Sequence, residues 1–284
     1  MKILSMVFVC FNLILGSCKF DNDNAGPSII TTTGDYEWTF DDLSGSPKPD
    51  ATNTGPTTTL SNYTGPMTII ENNTIIENVI ITGSLRIEAD NVRLANFKID
   101  ANKAPYGISI EDGHKGIRIE DGEIYNMASA AILGMGFHAK RLNIHDSDGD
   151  GIKAQGSGGE VIVELCFIHK LGKGEGAHAD GNQTRGGANI AFRYNNIYMP
   201  VPGSAEFPGA PYKSNAAFIL QLEISNFIIE HNWLDGGNYT IYSHQGAYVR
   251  NNKFGRNYLY GITVDGPSAQ WSGNVWQDTG LPCP

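Results

Sequence analysis

The chain has 284 residues, 40% hydrophobic and only 18% charged, which describes one large folded soluble domain or two small ones and excludes a disordered polymer. Thirty-four Gly and 13 Pro, without a collagen-like period, require a backbone that turns often and fit long helices poorly. The formal charge of −10 argues against a nucleic-acid binder working by broad phosphate neutralisation.

At the amino terminus Lys2 precedes an apolar run from Ile3 to Leu15, too short to span a bilayer and of the length a signal peptide uses. The run ends in Leu15-Gly16-Ser17-Cys18, which resembles a bacterial lipoprotein lipobox. That resemblance implies removal of residues 1–17 and lipidation of Cys18. Residues 18–34 then read as a polar tether, and its early acidic residues resemble signals that export lipoproteins to the surface of some Gram-negative bacteria. The expected location is the outer membrane or cell surface, with membrane contact only through the lipid anchor. Of the four cysteines Cys166 and Cys283 remain, too few for a disulfide framework. Residues 35–66, with Trp38 and Phe40 ahead of a Thr/Pro/Gly-rich stretch, are expected to cover the open end of the first turn of a domain that begins at residue 67.

From residue 67 onward the organisation is a repeat. A hexamer, apolar-x-x-(Asn or small)-x-apolar, recurs from Val92, Ile119, Ala139, Val163, Phe192, Ile229, Val249 and Trp271, with starts 27, 20, 24, 29, 37, 20 and 22 residues apart. A minimum near 20 with irregular excess is what a coil of constant circumference gives when some turns carry loops. Short strands upstream of most hexamers superpose on central residues Ile108, Ile132, Ile152, Asn182, Ile219, Ile241 and Ile262. Asn195, Asn232, Asn252 and Asn274 fall in one column, where stacked amides can hydrogen-bond, and Cys166 in the same column reads as a buried thiol. The pattern resembles the pectate-lyase-like superfamily and implies an all-β fold, a single-stranded right-handed parallel β-helix of about eight to nine coils over residues 67–284.

Because the inside of such a coil is packed, chemistry belongs on the outside. The outward positions of the short strands read Ser109 and Glu111, Leu133 and Met135, Lys153 and Gln155, Gln183 and Arg185, Leu220 and Leu222, Tyr242 and His244, Thr263 and Asp265. Parallel strands lie about 4.8 Å apart, so Lys153, Gln155, Gln183 and Arg185 should form one patch, with Tyr242 and His244 about three strands from Lys153. Residues 138–193 hold seven basic and seven acidic residues, so the acidic excess disappears there, which suits capture of an anionic polymer. Two long excursions flank the patch: residues 170–180, carrying His178, and residues 199–215, carrying Tyr212 and Lys213.

The runs around Asp148–Ala154 and His178–Gln183 resemble those of secreted bacterial β-helix proteins that act on polysaccharides. The resemblance implies a lyase of a uronic-acid-containing polysaccharide such as alginate, with Lys153 as base and Arg185, His178 or Tyr242 as the second group. Gln155, Gln183, His244, Tyr212 and Lys213 are the expected substrate contacts. Elimination at C5 needs cations or donors on the uronate carboxylate and a base on the proton, and Arg185 beside a partly buried Lys153 would disfavour the ammonium form. Hydrolysis wants two carboxylates at set distances, and the outward columns offer only Glu111 and Asp265 at opposite ends. Neither a polygalacturonase Asp pair in those columns nor an Arg-Pro-x-x-Arg run is present, against pectin specificity. Asp146, Asp148 and Asp150 match the start of an EF-hand loop, but its twelfth position is Ser157, so the segment reads as a polar turn, with calcium at that corner as the minority reading. No cofactor is required by this chemistry. The partner is an anionic polysaccharide and not nucleic acid, and the chain is expected to be a monomer. A non-catalytic glycan-binding or adhesive β-helix, and a uronate epimerase or glycosidase on the same scaffold, are the competing readings.

Overall fold

Short parallel strands, each bonded to the strand about one coil later, carry the backbone of this chain. The computed structural model describes residues 28–33, 36–201 and 212–284; the expected signal segment, Cys18, most of the tether and the middle of the Pro/Gly-rich excursion lie outside them. The strands stack in three parallel columns, so each coil supplies one strand to each of three sheets and the chain forms a parallel β-helix. The first sheet carries Leu85–Ile87, Tyr106–Ile110, Ala130–Gly134 and Ile152–Ala154, then the starts of the long strands Ala179–Arg193 and Ser214–Glu230, then Tyr239–Tyr242 and Gly261–Val264. Inward residues from all three sheets make one continuous apolar core, from Ile69 to Cys283.

The hexamer spans the corner between the second and third sheets, running as one strand at Ile119–Ile124 and split between two from Ala139 onward. Its first residue lies in the second sheet and its last in the third, as Phe192 and Ile197 do. Between them sits a residue at positive φ, repeated up the stack at Asn96, Asp121, Arg141, Leu165, Tyr194, His231 and Asn251. The first hexamer is displaced by two residues, since Leu94 and not Val92 pairs with Ile119.

The asparagine column follows that corner. Asn232 Oδ1 accepts from Asn195 N at 2.9 Å and Asn195 Nδ2 at 3.0 Å, while Asn232 Nδ2 donates to Phe192 O and to Asn252 Oδ1. Asn195 and Asn252 bond likewise, so each amide satisfies backbone groups that the corner frees from the sheets. Cys166 continues the column, fully buried, and burial pushes its thiol up to about 12.

The leading segment divides: its hairpin covers a flank, whereas Ser61–Asn62 pairs in parallel with Val79–Ile80 at the start of the stack. Strands Ser28–Thr33 and Tyr36–Asp41 form an antiparallel hairpin whose Trp38 and Phe40 pack on Ala191 and Ile228, the outer face of the second sheet at its middle coils. Beneath it the outward column reads Glu164, Arg193, Glu230, Arg250, opposite charges in register. Arg193 is buried, bonded to Glu164 at 2.7 Å and Glu230 at 2.8 Å, with its guanidinium 3.9 Å from the Phe40 ring centroid. Covering this ladder is what the two aromatic residues do.

Candidate active site

The outer face of the first sheet carries the patch expected from the sequence, with two register corrections. Leu133 pairs with Lys153, Ile152 with Asn182, and Gln183 with Ile219, which in turn pairs with Tyr242. Lys153, Gln183, Ile219 and Tyr242 are therefore consecutive outward positions. The expected Leu220 is buried instead, and Gln221 stands beside Arg185. A slip of one residue exchanges every side chain between faces, and here Phe218 and not Ile219 fills the inward position above Asn182. Leu222 is exposed at positive φ, where the strand is irregular. Met135, expected outward, is buried, and at the last coil Val264 rather than Thr263 pairs with Tyr242.

Lys153 has two partners. Its Nζ donates to Gln183 Oε1 at 3.2 Å and lies 2.9 Å from Asp150 Oδ2, with 17% of the side chain exposed. The nearest charge on Lys153 is thus a carboxylate, not the Arg185 cation expected to disfavour its ammonium form.

Beneath this pair lies a second carboxylate. Gly151 N donates to Asp180 O, which fixes Asp150 and Asp180 at equivalent corners of adjacent coils, and Asp180 N donates to Asp150 Oδ1 at 2.8 Å. Asp180 is 1% exposed, and burial first, then the charge of Asp150, pushes its carboxyl well above the usual carboxylate range. Asn215 Nδ2 donates to Asp180 Oδ1 at 2.9 Å; Asn215 Oδ1 accepts from Tyr242 Oη at 3.1 Å and Asn238 Nδ2 at 3.2 Å. Burial raises the Tyr242 phenol as well. A continuous network therefore runs from Lys153 through Asp150, Asp180 and Asn215 to Tyr242.

The two glycines at this corner are required by close approach. A side chain at Gly151 would meet Gly181 O, and one at Gly181 would meet Ile197 and Ala217 O, so each Asp-Gly step lets adjacent coils sit together.

Beside Lys153 the same face opens into a cavity of about 530 Å³, lined among others by Glu111, Asp112, Leu133, Gln155 and Arg185. Gln155 Oε1 is buried without a hydrogen-bond partner among the described residues.

Other expected contacts lie elsewhere. His178 is exposed at the end of its loop, and Lys213 is exposed with its backbone bonded to Gly172 and Ala179. Tyr212 is half-buried and sits in the field of Asp146 and Lys173, its phenol raised chiefly by burial. His244 Nδ1 accepts from Gly246 N at 3.0 Å, which commits that ring to the turn into the next strand. The three corner aspartates do not gather around one point. Asp146 is held by His145 and Lys173, Asp148 by Lys103 and Asp150 by Lys153, and no group of three or more His, Cys, Asp or Glu among the described residues is arranged to hold a metal ion.

Sequence reasoning missed Asp180, Asn215 and Gln221. The signal for the first was present, since Asp-Gly stands immediately before the inward position in both Asp150-Gly151-Ile152 and Asp180-Gly181-Asn182.

The family model for right-handed beta helix regions matches residues 87–275. No curated protein and no solved structure matches the chain.

Proposed function

This chain belongs to the right-handed β-helix family, a scaffold compatible with enzymes that act on polysaccharides and with glycan-binding proteins, and on it we propose a lyase that cleaves a uronic-acid-containing polysaccharide by β-elimination. The observation that carries the reading is Lys153 bonded to Gln183 on an exposed face, with Asp150 behind it and Arg185 in the adjoining cavity.

Removing the proton at C5 of a uronate builds negative charge on a carboxylate that is already an anion, so the site must neutralise that group. Arg185 supplies the positive charge, and the Gln183 amide adds an N–H donor. Lys153 takes the C5 proton after passing its own ammonium proton to Asp150 as the polymer excludes water, since a low dielectric favours the neutral pair over the ion pair. Burial and the charge of Asp150 favour the neutral form of Asp180, which limits the negative charge beneath Lys153. Tyr242, tied to this network through Asn215, is the acid for the departing oxygen. Hydrolysis is the weaker reading because Asp150 and Asp180 are 5% and 1% exposed and lie under Lys153, away from a glycosidic oxygen. No step draws on a metal ion.

Attachment through a lipidated Cys18 at the bacterial surface completes the reading, with the polymer met outside the cell. The test is the ultraviolet absorbance of the unsaturated uronate when the purified protein meets anionic polysaccharides. Retained polymer binding with no such product would leave a glycan-binding β-helix.

A further inference from the structure

The cavity beside Lys153 carries an uneven set of polar groups. Glu111, Asp112 and Gln155 all present acceptors, against the single cation of Arg185. Glu111 Oε1 is engaged by Arg86 Nε at 3.1 Å and Asp112 Oδ1 by Ser157 N at 3.0 Å, which leaves each carboxylate a second oxygen. Gln155 Oε1 is buried and has no partner among the described residues, and turning that amide toward the cavity lets a ligand hydroxyl donate to it. The remaining wall is apolar, with Leu133 and the exposed Leu222.

The backbone keeps this space clear. Gly134 and Gly156 have φ of 132° and 115°, and a side chain would meet Ile110 at the first and the Asp112 carboxylate at the second.

Surplus acceptors need hydroxyl donors, two carboxylates repel a third, and apolar side chains suit the C–H face of a sugar ring. We propose that the cavity is a subsite for a neutral pyranose, so that the polymer is a heteropolysaccharide in which a neutral sugar adjoins the uronate at Lys153. Homopolyuronates such as alginate are then poor substrates, because their next carboxylate would face Glu111 and Asp112. The place of the uronate rests on the lyase reading, whereas the preference of the cavity does not.

Calorimetric or ligand-observed NMR titration of the full chain with methyl glucoside and methyl galactoside, against glucuronate and galacturonate, tests this. Each neutral glycoside should bind, and its acid counterpart, free to bind at Lys153, should fail to displace it from the cavity. Gln155→Met should weaken neutral binding about tenfold, the cost of a lost acceptor in a buried site. Glu111→Gln combined with Asp112→Asn should narrow the preference by strengthening the acids. Acids displacing the neutral glycosides from the cavity, no binding of the neutral glycosides, or neutral binding untouched by Gln155→Met would overturn the proposal. The preference of the unmodified protein needs no variant, so a misfolded Gln155→Met leaves the test standing. A protein that shows this preference and makes no unsaturated product keeps the subsite and loses the lyase. Equal turnover of homopolyuronates and heteropolymers does the reverse.

Discussion

Lys153 Nζ lies 2.9 Å from Asp150 Oδ2, at a corner where Asp180, on the next coil, donates its backbone N–H to the other oxygen of the same carboxylate. One aspartate therefore touches both the proposed base and the neighbour whose carboxyl is pushed well above the usual carboxylate range. Asp150→Asn removes the acceptor for the Lys153 proton while keeping the shape. Turnover should fall by about a hundredfold or more, the scale of losing a positioned proton acceptor, with polymer binding retained. Steady-state kinetics with a parallel binding titration checks this, and unchanged turnover removes Asp150 from the mechanism.

The asparagine column makes a stability prediction with a position dependence. Asn232→Ala strands partners at Asn195, Asn252 and Phe192, all fully buried, and should cost about 3–5 kcal/mol in denaturant unfolding. Asn274 ends the column near the carboxy terminus, and Asn274→Ala should cost less because the last coil can relax.

Arg193 holds two buried carboxylates, so Arg193→Ala should be severe. Removing one partner from a buried ion network typically costs about 3–5 kcal/mol. The hairpin lies on that network through Phe40. Limited proteolysis should therefore cut the leading segment faster in the variant than in the parent, and equal cleavage rates would show that the hairpin is held by Trp38 and its apolar contacts alone.

His169 gives a pH dependence whose sign is fixed. Burial first, then the charges of His145 and Lys170, lower it to about 3, against Asp146 acting the other way, and its Nε2 pairs with Asn143 Oδ1 at 3.0 Å. The unfolded chain binds a proton near the ordinary value of about 6.5 while the folded chain does not, so folding stability is lost as pH falls from there toward 3, by up to about 1.4 kcal/mol per unit. Thermal melts across that range should slope less in His169→Gln than in the parent. Parallel slopes would contradict the assignment.

Much of the fold was legible because a coil of fixed circumference repeats its corners. Tyr194, His231 and Asn251 all take positive φ at the position the hexamer marks, and Asn195, Asn232 and Asn252 follow them. Register inside one strand was less legible. Phe218, Ile219 and Leu220 are all apolar, so nothing in composition says which of them faces inward, and pairing with Asn182 decides it. The site was half legible for a related reason. Lys153 and Gln183 stand in strand positions that alternation predicts, whereas Asp150 and Asp180 sit at a corner, where no alternation applies and depth is set by how closely Gly151 and Gly181 let the coils approach. Likewise the hairpin's placement on the flank follows from a charge ladder at Glu164, Arg193 and Glu230, which becomes one ladder only after the coils are stacked.

The central claim is elimination at Lys153. The direct measurement is the ultraviolet absorbance of the unsaturated uronate, followed for the parent, Lys153→Ala and Lys153→Arg on heteropolysaccharides that contain uronates. Product is expected from the parent and none from either variant, with polymer binding retained in both, because an arginine keeps the charge and cannot serve as the base. Full activity in Lys153→Ala, or no product from the parent on any uronate polymer it binds, would contradict the claim.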